Sequence, residues 1–240
     1  MKFRLAQRGE LLLSLTAAAL VMSVATYQGA RHMYGDTLVP FIKGIIKNPV
    51  EVGACAPCSK YVAKEMTRHI NSVTQGSIHI LEVGAGTGAF TSEIVNKLNE
   101  LGQPYRFDIV EINQDYCQLL REKFRGNSQV VVNCVSILDW LPAYQYDYII
   151  SSLPLNNFSV PFISEILSQY EKIIKPLGTL SYIEYMWLPA IKMALLRGDK
   201  KIELEQKITA LFNFRTKHGL GAQKVYLNIP PTYVYHLKQW

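Results

Sequence analysis

The sequence predicts an α/β fold: a mostly parallel sheet with an antiparallel hairpin at its C-terminal end, preceded by helices that associate with a membrane. Three observations support this prediction. Strand-like apolar runs alternate with amphipathic helical stretches through most of the 240 residues, a glycine-rich turn follows the first run, and residues 1–50 are apolar and basic. Alternating strands and helices favour parallel pairing, because a helix returns the chain to the same edge of the sheet.

Residues 11–30, LLLSLTAAALVMSVATYQGA, carry no charge and would extend about 30 Å as a helix. A cleaved signal peptide, a spanning helix and an interfacial anchor all fit this segment, and a helix buried against the body is the alternative. We predict that residues 1–30 form an apolar membrane anchor, without choosing between these modes.

Residues 31–50 are predicted to form an amphipathic helix on the membrane surface. Lys43 and Lys47 lie on one side of it, and an apolar stripe lies on the other, formed by Leu38, Phe41, Ile42, Ile45 and Ile46. Residues 1–70 carry nine Lys or Arg side chains against four acids, so an anionic partner is indicated, either acidic lipid or nucleic acid. The alternative is that the apolar stripe covers the core of the domain.

The rest of the chain reads as alternating helices and strands. The predicted strands are 78–83, 105–112, 128–135, 146–152 and 178–186. The predicted helices are 59–73, 91–100, 115–124, 160–174 and about 200–214. Residues 222–239 indicate two strands joined across residues 228–231, which predicts the antiparallel hairpin.

The segment LEVGAGTGAF, residues 81–90, places three glycines within five positions directly after the first strand. Glycine is unfavourable in strands and helices, so this bare backbone indicates a ligand that touches the main chain. The spacing G-x-G-x-x-A fits a dinucleotide, whereas G-x-G-x-G preceded by Glu82 fits a ligand with an amino acid end, such as S-adenosylmethionine. The residues of this loop are Gly84, Ala85, Gly86, Thr87 and Gly88.

Two acids lie at the ends of the first two strands. Glu111 is placed where a carboxylate accepts both hydroxyls of an adenosine ribose, and a solvated acid at a strand end is the alternative. Glu82 is flanked by Leu81 and Val83, where an acid is unfavourable unless it is paired. We therefore predict that both acids bind the ligand.

Four segments of the chain resemble motifs of class I methyltransferases, namely LEVGAGTGAF, VEIN, IISSLPLNNF and VYLNIPPTYVY. More narrowly, FIKGIIKNPVEVGACAPCSKYVAKEM is similar to the N-terminal signature of bacterial phospholipid N-methyltransferases. The resemblance covers about residues 38–240. It implies a seven-stranded Rossmann-like sheet, S-adenosylmethionine as cofactor, and a methyltransferase domain over residues 51–240 that methylates phosphatidylethanolamine.

The resemblance also implies roles for individual residues. Where the family usually has a Gly-Asp-Ala-like turn, this chain has Cys134-Val135-Ser136, so the adenine contact would come from the main chain there or from Asp139. The predicted cofactor-binding residues are Glu82, Gly84, Ala85, Gly86, Thr87, Gly88, Glu111, Ile112, Val135, Ser136 and Ser151. The predicted residues of the methyl-accepting pocket are Ser151, Ser152, Leu153, Pro154 and Tyr185.

The segment ISSLPLNNF argues against a nucleobase as the methyl acceptor. Related adenine-methylating enzymes have Asn-(Ile/Leu/Pro)-Pro-(Tyr/Phe) at this place, where the amide holds the amino group and the ring stacks on the base. This chain has Ser-Leu-Pro-Leu at residues 152–155, so it lacks both groups. An alkyl ammonium needs acceptor oxygens and aromatic faces instead, which Tyr182 and Tyr185 would provide unless they only pack in the core.

The pair Cys55 and Cys58 raises the question of a metal or redox site. A zinc site needs four ligands and the sequence has no second pair of this kind, while a thioredoxin-like motif would follow a strand. We therefore expect all four cysteines to be reduced thiols in a reducing cytosol, and no metal.

The sequence thus predicts an S-adenosylmethionine-dependent N-methyltransferase on the cytoplasmic face of a membrane. Its expected partners are a bilayer with anionic lipids and a substrate like phosphatidylethanolamine, without nucleic acid or metal. One alternative is a methyltransferase for another amine, either an aminoacyl lipid or rRNA adenine. The others are a nicotinamide oxidoreductase and a non-catalytic membrane protein that keeps the fold.

Overall fold

The computed structural model describes residues 58–73, 76–228 and 230–238. The predicted anchor at 1–30, the predicted surface helix at 31–50 and Cys55 lie outside the described residues. Within the described ranges, no helix has both the length and the apolar character needed to cross a membrane.

The described residues form seven strands and six α-helices. The strands are β1 (Ile78–Val83), β2 (Tyr105–Glu111), β3 (Val130–Cys134), β4 (Tyr146–Ser151), β5 (Ile174–Tyr185), β6 (Gly219–Val225) and β7 (Thr232–Lys238). The helices are α1 (Lys60–Met66), α2 (Ala89–Leu101), α3 (Gln114–Lys123), α4 (Val160–Ile173), α5 (Leu188–Leu195) and α6 (Asp199–His218). A 3₁₀ turn, Leu155–Asn157, follows β4.

The strands form one sheet in the order β3-β2-β1-β4-β5-β7-β6. The first five strands are parallel, and β7 lies antiparallel between β5 and β6. The predicted seven-stranded sheet with a C-terminal antiparallel hairpin is therefore confirmed. The strand order reverses at β1, which has β2 on one side and β4 on the other, so a crevice opens at the carboxyl ends of these three strands.

Successive residues of the strands point to opposite faces of the sheet and feed two apolar clusters. Ile80 of β1 belongs to the cluster that joins the sheet to α1, α2 and α3, whereas Leu81 belongs to the cluster with α4 and α6. Both side chains are fully buried. Because β1 is covered on both faces, the position of its carboxyl end is fixed from both sides.

Some boundaries differ from those predicted. Helix α1 was predicted to extend to about residue 73, but it ends at Met66. The next residue, Thr67, caps the helix, and its hydroxyl donates to the carbonyl oxygen of Ala63 at 3.1 Å. Strand β5 begins at Ile174, directly after α4, rather than at residue 178. Its first pair with β4 is out of register with the later ones, so the segment that contains Pro176 departs from regular pairing. Helix α5 and the 3₁₀ turn were not predicted.

The expectation that all four cysteines are reduced thiols is wrong for Cys117 and Cys134, which form a disulfide with Cα atoms 5.9 Å apart. Cys117 lies on α3 and Cys134 ends β3, and the fold packs these two elements together. Their sequence separation of 17 gives no sign of this contact. Disulfides are rare in a reducing cytosol, so the cysteines no longer support that compartment. Cys58 is a free thiol.

Candidate active site

The glycine loop between β1 and α2 has a backbone that side chains rarely permit. Gly84 and Gly86 have φ angles of 74° and 54°, in the left-handed region. A Cβ at Gly84 would lie 2.9 Å from Cδ2 of Leu153, whereas a Cβ at Gly86 would meet nothing within 4 Å. The loop is therefore packed on one side by the segment after β4 and open at Gly86, where a ligand has room to approach the main chain.

Glu82 lies directly before this loop and is fully buried. The Thr91 hydroxyl donates to its Oε2 atom at 2.6 Å, but its Oε1 atom has no hydrogen-bond partner among the described residues. Burial raises the pKa of Glu82 to about 8. A buried acceptor without a donor is unfavourable, and an ammonium group would supply one. The predicted role of Glu82 at an amino acid end of the cofactor fits this arrangement.

Glu111 ends β2 and connects two turns. Its Oε2 atom accepts a hydrogen bond from the Gly86 N–H at 2.8 Å, and its Oε1 atom accepts one from the Asn113 N–H at 2.9 Å. Each carboxylate oxygen can accept a second hydrogen bond, so ribose hydroxyls can bind beside these contacts. The structure thus brings the predicted ribose-binding acid to the glycine loop.

The predicted adenine contacts lie on the rim of the same crevice. Ile112 is 72% exposed, which leaves an apolar face next to Glu111. The Val135 N–H donates to the carbonyl oxygen of Glu111 at 3.1 Å, so the turn after β3 adjoins the end of β2. The Ser136 hydroxyl accepts from the Leu138 N–H at 3.3 Å and is therefore used within its own turn.

Residues 151–154, the predicted methyl-accepting segment (the acceptor segment), lie against the glycine loop. The Ser152 N–H donates to the carbonyl oxygen of Val83 at 3.0 Å, and the Ser152 hydroxyl donates to the carbonyl oxygen of Gly84. The fully buried hydroxyl of Ser151 instead pairs with the Tyr170 hydroxyl on α4 at 2.8 Å. The structure therefore places Ser152 and Leu153 at the crevice and directs the Ser151 side chain towards α4.

Two other residues of the predicted methyl-accepting pocket are Pro154, which ends this segment, and Tyr185 on β5. Pro154 directly precedes the 3₁₀ turn, and its carbonyl oxygen accepts from the Asn157 N–H at 2.8 Å. Tyr185 is half-buried at the carboxyl end of β5, where it pairs in register with Thr232 of β7. Both residues lie at the carboxyl edge of the sheet, and their roles remain predictions.

A polar cluster beside this segment was missed by the sequence analysis. The Tyr182 hydroxyl donates to Oε1 of Glu184 at 3.1 Å, and Nη1 of Arg215 donates to the same atom. The side chain of Asn156 also hydrogen-bonds Glu184. One signal was available, because Glu184 lies in the apolar strand SYIEYM much as Glu82 lies in ILEV. An acid in such a strand indicates a buried partner.

The chain matches known proteins in sequence. Residues 80–178 match the family model of the methyltransferase domain. An ornithine lipid N-methyltransferase from Singulisphaera acidiphila is 27% identical over 152 residues, which is 61% of this chain and 77% of that protein.

Solved structures with the same fold include the N-methyltransferase NodS from Bradyrhizobium japonicum WM9 in complex with S-adenosyl-L-homocysteine. The match covers 85% of this chain and 98% of the NodS chain at 15% identity, with a TM-score of 0.57. The [4+2]-cyclase SpnF covers 85% of this chain and 95% of its own at 12% identity, also with a TM-score of 0.57. These likenesses confirm the predicted Rossmann-like fold, and the cyclase illustrates that the fold alone does not fix the reaction.

Proposed function

We propose that this chain, an S-adenosylmethionine-dependent methyltransferase, transfers methyl groups to the amine nitrogen of a lipid head group. The enzyme class and the cofactor predicted from the sequence are confirmed by the methyltransferase-domain match together with the fold. The nitrogen acceptor and its lipid are the proposal.

The observation that carries the proposal is the contact between the glycine loop and the segment after β4. The Ser152 hydroxyl donates a hydrogen bond to the Gly84 carbonyl oxygen, so residues 151–154 lie directly against the glycine loop, which supports their predicted role as the acceptor segment. Residues 152–155 contain neither an amide nor an aromatic ring. A planar base would therefore find neither the amide that binds its amino group nor the aromatic ring that stacks on it, whereas a small aliphatic amine needs neither of these groups.

The cofactor fits the residues that surround the crevice. The unpartnered Oε1 atom of Glu82 suits the ammonium of the methionine end, and the carboxylate of Glu111 suits the ribose hydroxyls. The exposed face of Ile112 suits the adenine ring. When bound, S-adenosylmethionine supplies a methyl group that its sulfonium activates for transfer. The residues of the chain then contribute orientation and the exclusion of water, since little covalent chemistry is left to the protein.

The lipid head group is the finer part of the proposal. The matched relative from Singulisphaera acidiphila is named for ornithine lipid, and the resemblance in the sequence pointed to phosphatidylethanolamine. Both lipids carry a primary amine on a flexible chain, so both meet the requirement of the acceptor segment. The basic residues of segment 1–70 and the apolar stretch 11–30 support binding at an anionic membrane surface.

A direct assay separates these possibilities. The full chain is incubated with methyl-labelled S-adenosylmethionine and with anionic vesicles that contain phosphatidylethanolamine, ornithine lipid or phosphatidylcholine, and in parallel with rRNA. We expect label in the lipid extract of one or both amine-containing vesicles and none with phosphatidylcholine, whose nitrogen is already fully methylated. Mass spectrometry of the lipids then gives the number of methyl groups added. Absence of label in every lipid, or label in rRNA alone, would overturn the proposal.

A further inference from the structure

Glu184 is a nearly buried acid at the carboxyl edge of the sheet. Its side chain is 10% exposed and that of Arg215 is 17% exposed, and the two form an ion pair. The Arg215 guanidinium also lies 4.6 Å from the centre of the Tyr235 ring, which stacks on the ring of Tyr182 at 5.3 Å. The carboxylate is thus held in place by a cation from α6 and by a hydroxyl of its own strand.

This acid lies beside the acceptor segment. Strand β5 is the neighbour of β4, and Ser151, the last residue of β4, pairs in register with Tyr182. Glu184 lies two residues further towards the carboxyl end, on the same face as Tyr182. It is reached there by the side chain of Asn156, which belongs to the 3₁₀ turn directly after the acceptor segment.

Asn156 has an unmet hydrogen-bonding requirement. Its Oδ1 atom is buried and has no hydrogen-bond partner among the described residues, although the side chain bonds Glu184. A carboxylate accepts hydrogen bonds and does not donate them, so the Asn156 amide N–H faces Glu184 and leaves the amide oxygen for another donor. A buried carbonyl oxygen without a donor is unfavourable in a folded protein. A ligand that carries N–H groups would remove this cost.

We propose that Asn156 and Glu184 form an amine seat, in which the amide oxygen and the carboxylate accept hydrogen bonds from the N–H groups of the methyl acceptor. Asn156 would then supply, four residues later, the side-chain amide that this chain lacks at residue 152. Arg215 is a positioning residue that holds the carboxylate and balances its charge. This inference rests on the proposed function for the identity of the acceptor as a lipid amine.

The amine seat predicts which head groups bind. A primary ammonium has three N–H donors and can bond Asn156 and Glu184 together, whereas a trimethylammonium has none. Cation–π attraction to aromatic faces acts on both kinds of cation and does not distinguish them. Affinity should therefore fall as methyl groups are added to the nitrogen, and the fall should depend on the amine seat.

The test measures binding to the complex of the full chain with S-adenosylhomocysteine. Dihexanoylphosphatidylethanolamine and N-hexanoylornithine are titrated by calorimetry, each against its trimethylated counterpart. We expect at least one primary amine to bind about 10-fold more tightly than its counterpart, a preference that Asn156→Ala and Glu184→Gln reduce to less than about 3-fold. Equal binding of both pairs by the unmodified chain, or a preference retained in both variants, would refute the amine seat.

Two controls separate a local effect from a general one. The first control, Glu171→Gln, removes a different acid that is also ion-paired to α6, through Lys217 and His218. The second control, Asn157→Ala, changes the exposed neighbour of Asn156. Both should keep the preference for the primary amine. Affinity for S-adenosylhomocysteine should stay within about 3-fold in all four variants, because Glu184 is held by Tyr182 and Arg215, whereas the predicted cofactor contacts come from the glycine loop and Glu111. A parallel loss of cofactor affinity in Asn156→Ala and Glu184→Gln would count against the inference.

Kinetics distinguish failure of this inference from failure of the proposed function. If the unmodified chain methylates a lipid amine and both variants keep its KM and kcat, the amine seat is wrong and the function stands. If the primary amine binds through Asn156 and Glu184 but no methylated lipid forms, the proposed function is wrong and the site stands.

Discussion

The carboxylate of Glu111 and the backbone N–H of Gly86 are joined by a hydrogen bond of 2.8 Å. Glu111 ends β2, and Gly86 lies in the middle of the glycine loop after β1. The other carboxylate oxygen accepts from the N–H of Asn113, whose side chain caps α3. One side chain thus links the two turns between which we predict that the adenosine binds.

Replacement of Glu111 by alanine should therefore weaken cofactor binding for two reasons. The variant loses the acceptor for the ribose hydroxyls and also the bond that holds Gly86. We expect the affinity for S-adenosylhomocysteine to fall about 100-fold by calorimetric titration, consistent with the loss of charge-assisted hydrogen bonds. Glu100→Ala, which removes an exposed acid near the end of α2, should leave it unchanged. A Glu111→Ala variant with unaltered affinity would exclude Glu111 from the cofactor site.

Glu82 should make the stability of the protein depend on pH. Burial raises its pKa to about 8 in the folded state, against 4.5 as the ordinary value. Between these pH values the folded state holds a proton that the unfolded state releases, so the contribution of Glu82 to stability falls as pH rises. The Glu82→Gln variant keeps an acceptor for Thr91 and does not titrate. As pH rises through this window, the free energy of unfolding of Glu82→Gln should increase relative to that of the unmodified protein. The difference should grow by up to about 1.4 kcal/mol per pH unit.

Denaturant unfolding at intervals from pH 5.5 to pH 9 measures this difference. We expect Glu82→Gln to be the more stable protein above pH 8, yet to bind S-adenosylhomocysteine more weakly, because an amide lacks the charge that an ammonium requires. A constant difference in unfolding free energy across the range would show that Glu82 is ionised in the folded state. Tighter cofactor binding by the variant would contradict its assignment to the methionine end.

Gly84 should tolerate no side chain. Its φ of 74° is strained for alanine, and a Cβ there would lie 2.9 Å from Leu153 and 3.3 Å from the Ser152 hydroxyl. We expect Gly84→Ala to lower the melting temperature and to abolish measurable cofactor binding, because the backbone must shift away from the acceptor segment. Gly126→Ala is the matched control, since a Cβ at that position meets nothing within 4 Å. Equal cofactor affinity in the two variants would show that the loop adapts without loss.

The sequence was most informative where a residue type is unfavourable by local rules alone. Glycines after a strand indicated a backbone that a ligand approaches, and Gly84 and Gly86 do have φ angles that favour glycine. An acid in the apolar segment LEV indicated a special environment, and Glu82 is fully buried. Each of these inferences needs only the properties of the residue and its immediate neighbours, so it did not depend on the tertiary structure.

The sequence was least informative where two distant segments create a property together. Arg215 lies 31 residues beyond Glu184, and only the packing of α6 over β5 pairs them. The free amide oxygen of Asn156 is likewise a consequence of the fold and not of its local sequence. The start of β5 at Ile174 was hidden by Pro176, which is unusual within a strand and favours a break between helix and strand.

The disulfide between Cys117 and Cys134 should contribute measurably to stability. It closes a loop of 17 residues, and the chain-entropy relation gives about 3 kcal/mol for a loop of that length. We expect the double substitution to serine, or reduction of the unmodified chain, to lower the free energy of unfolding by about this amount. Cys58→Ser should retain sensitivity to the reductant, because Cys58 is a free thiol, whereas the double variant should not respond to it. Alkylation of the unfolded, non-reduced chain followed by mass spectrometry checks the bond itself. Labelling of both cysteines without reductant would contradict it and would restore the expectation of a reducing compartment.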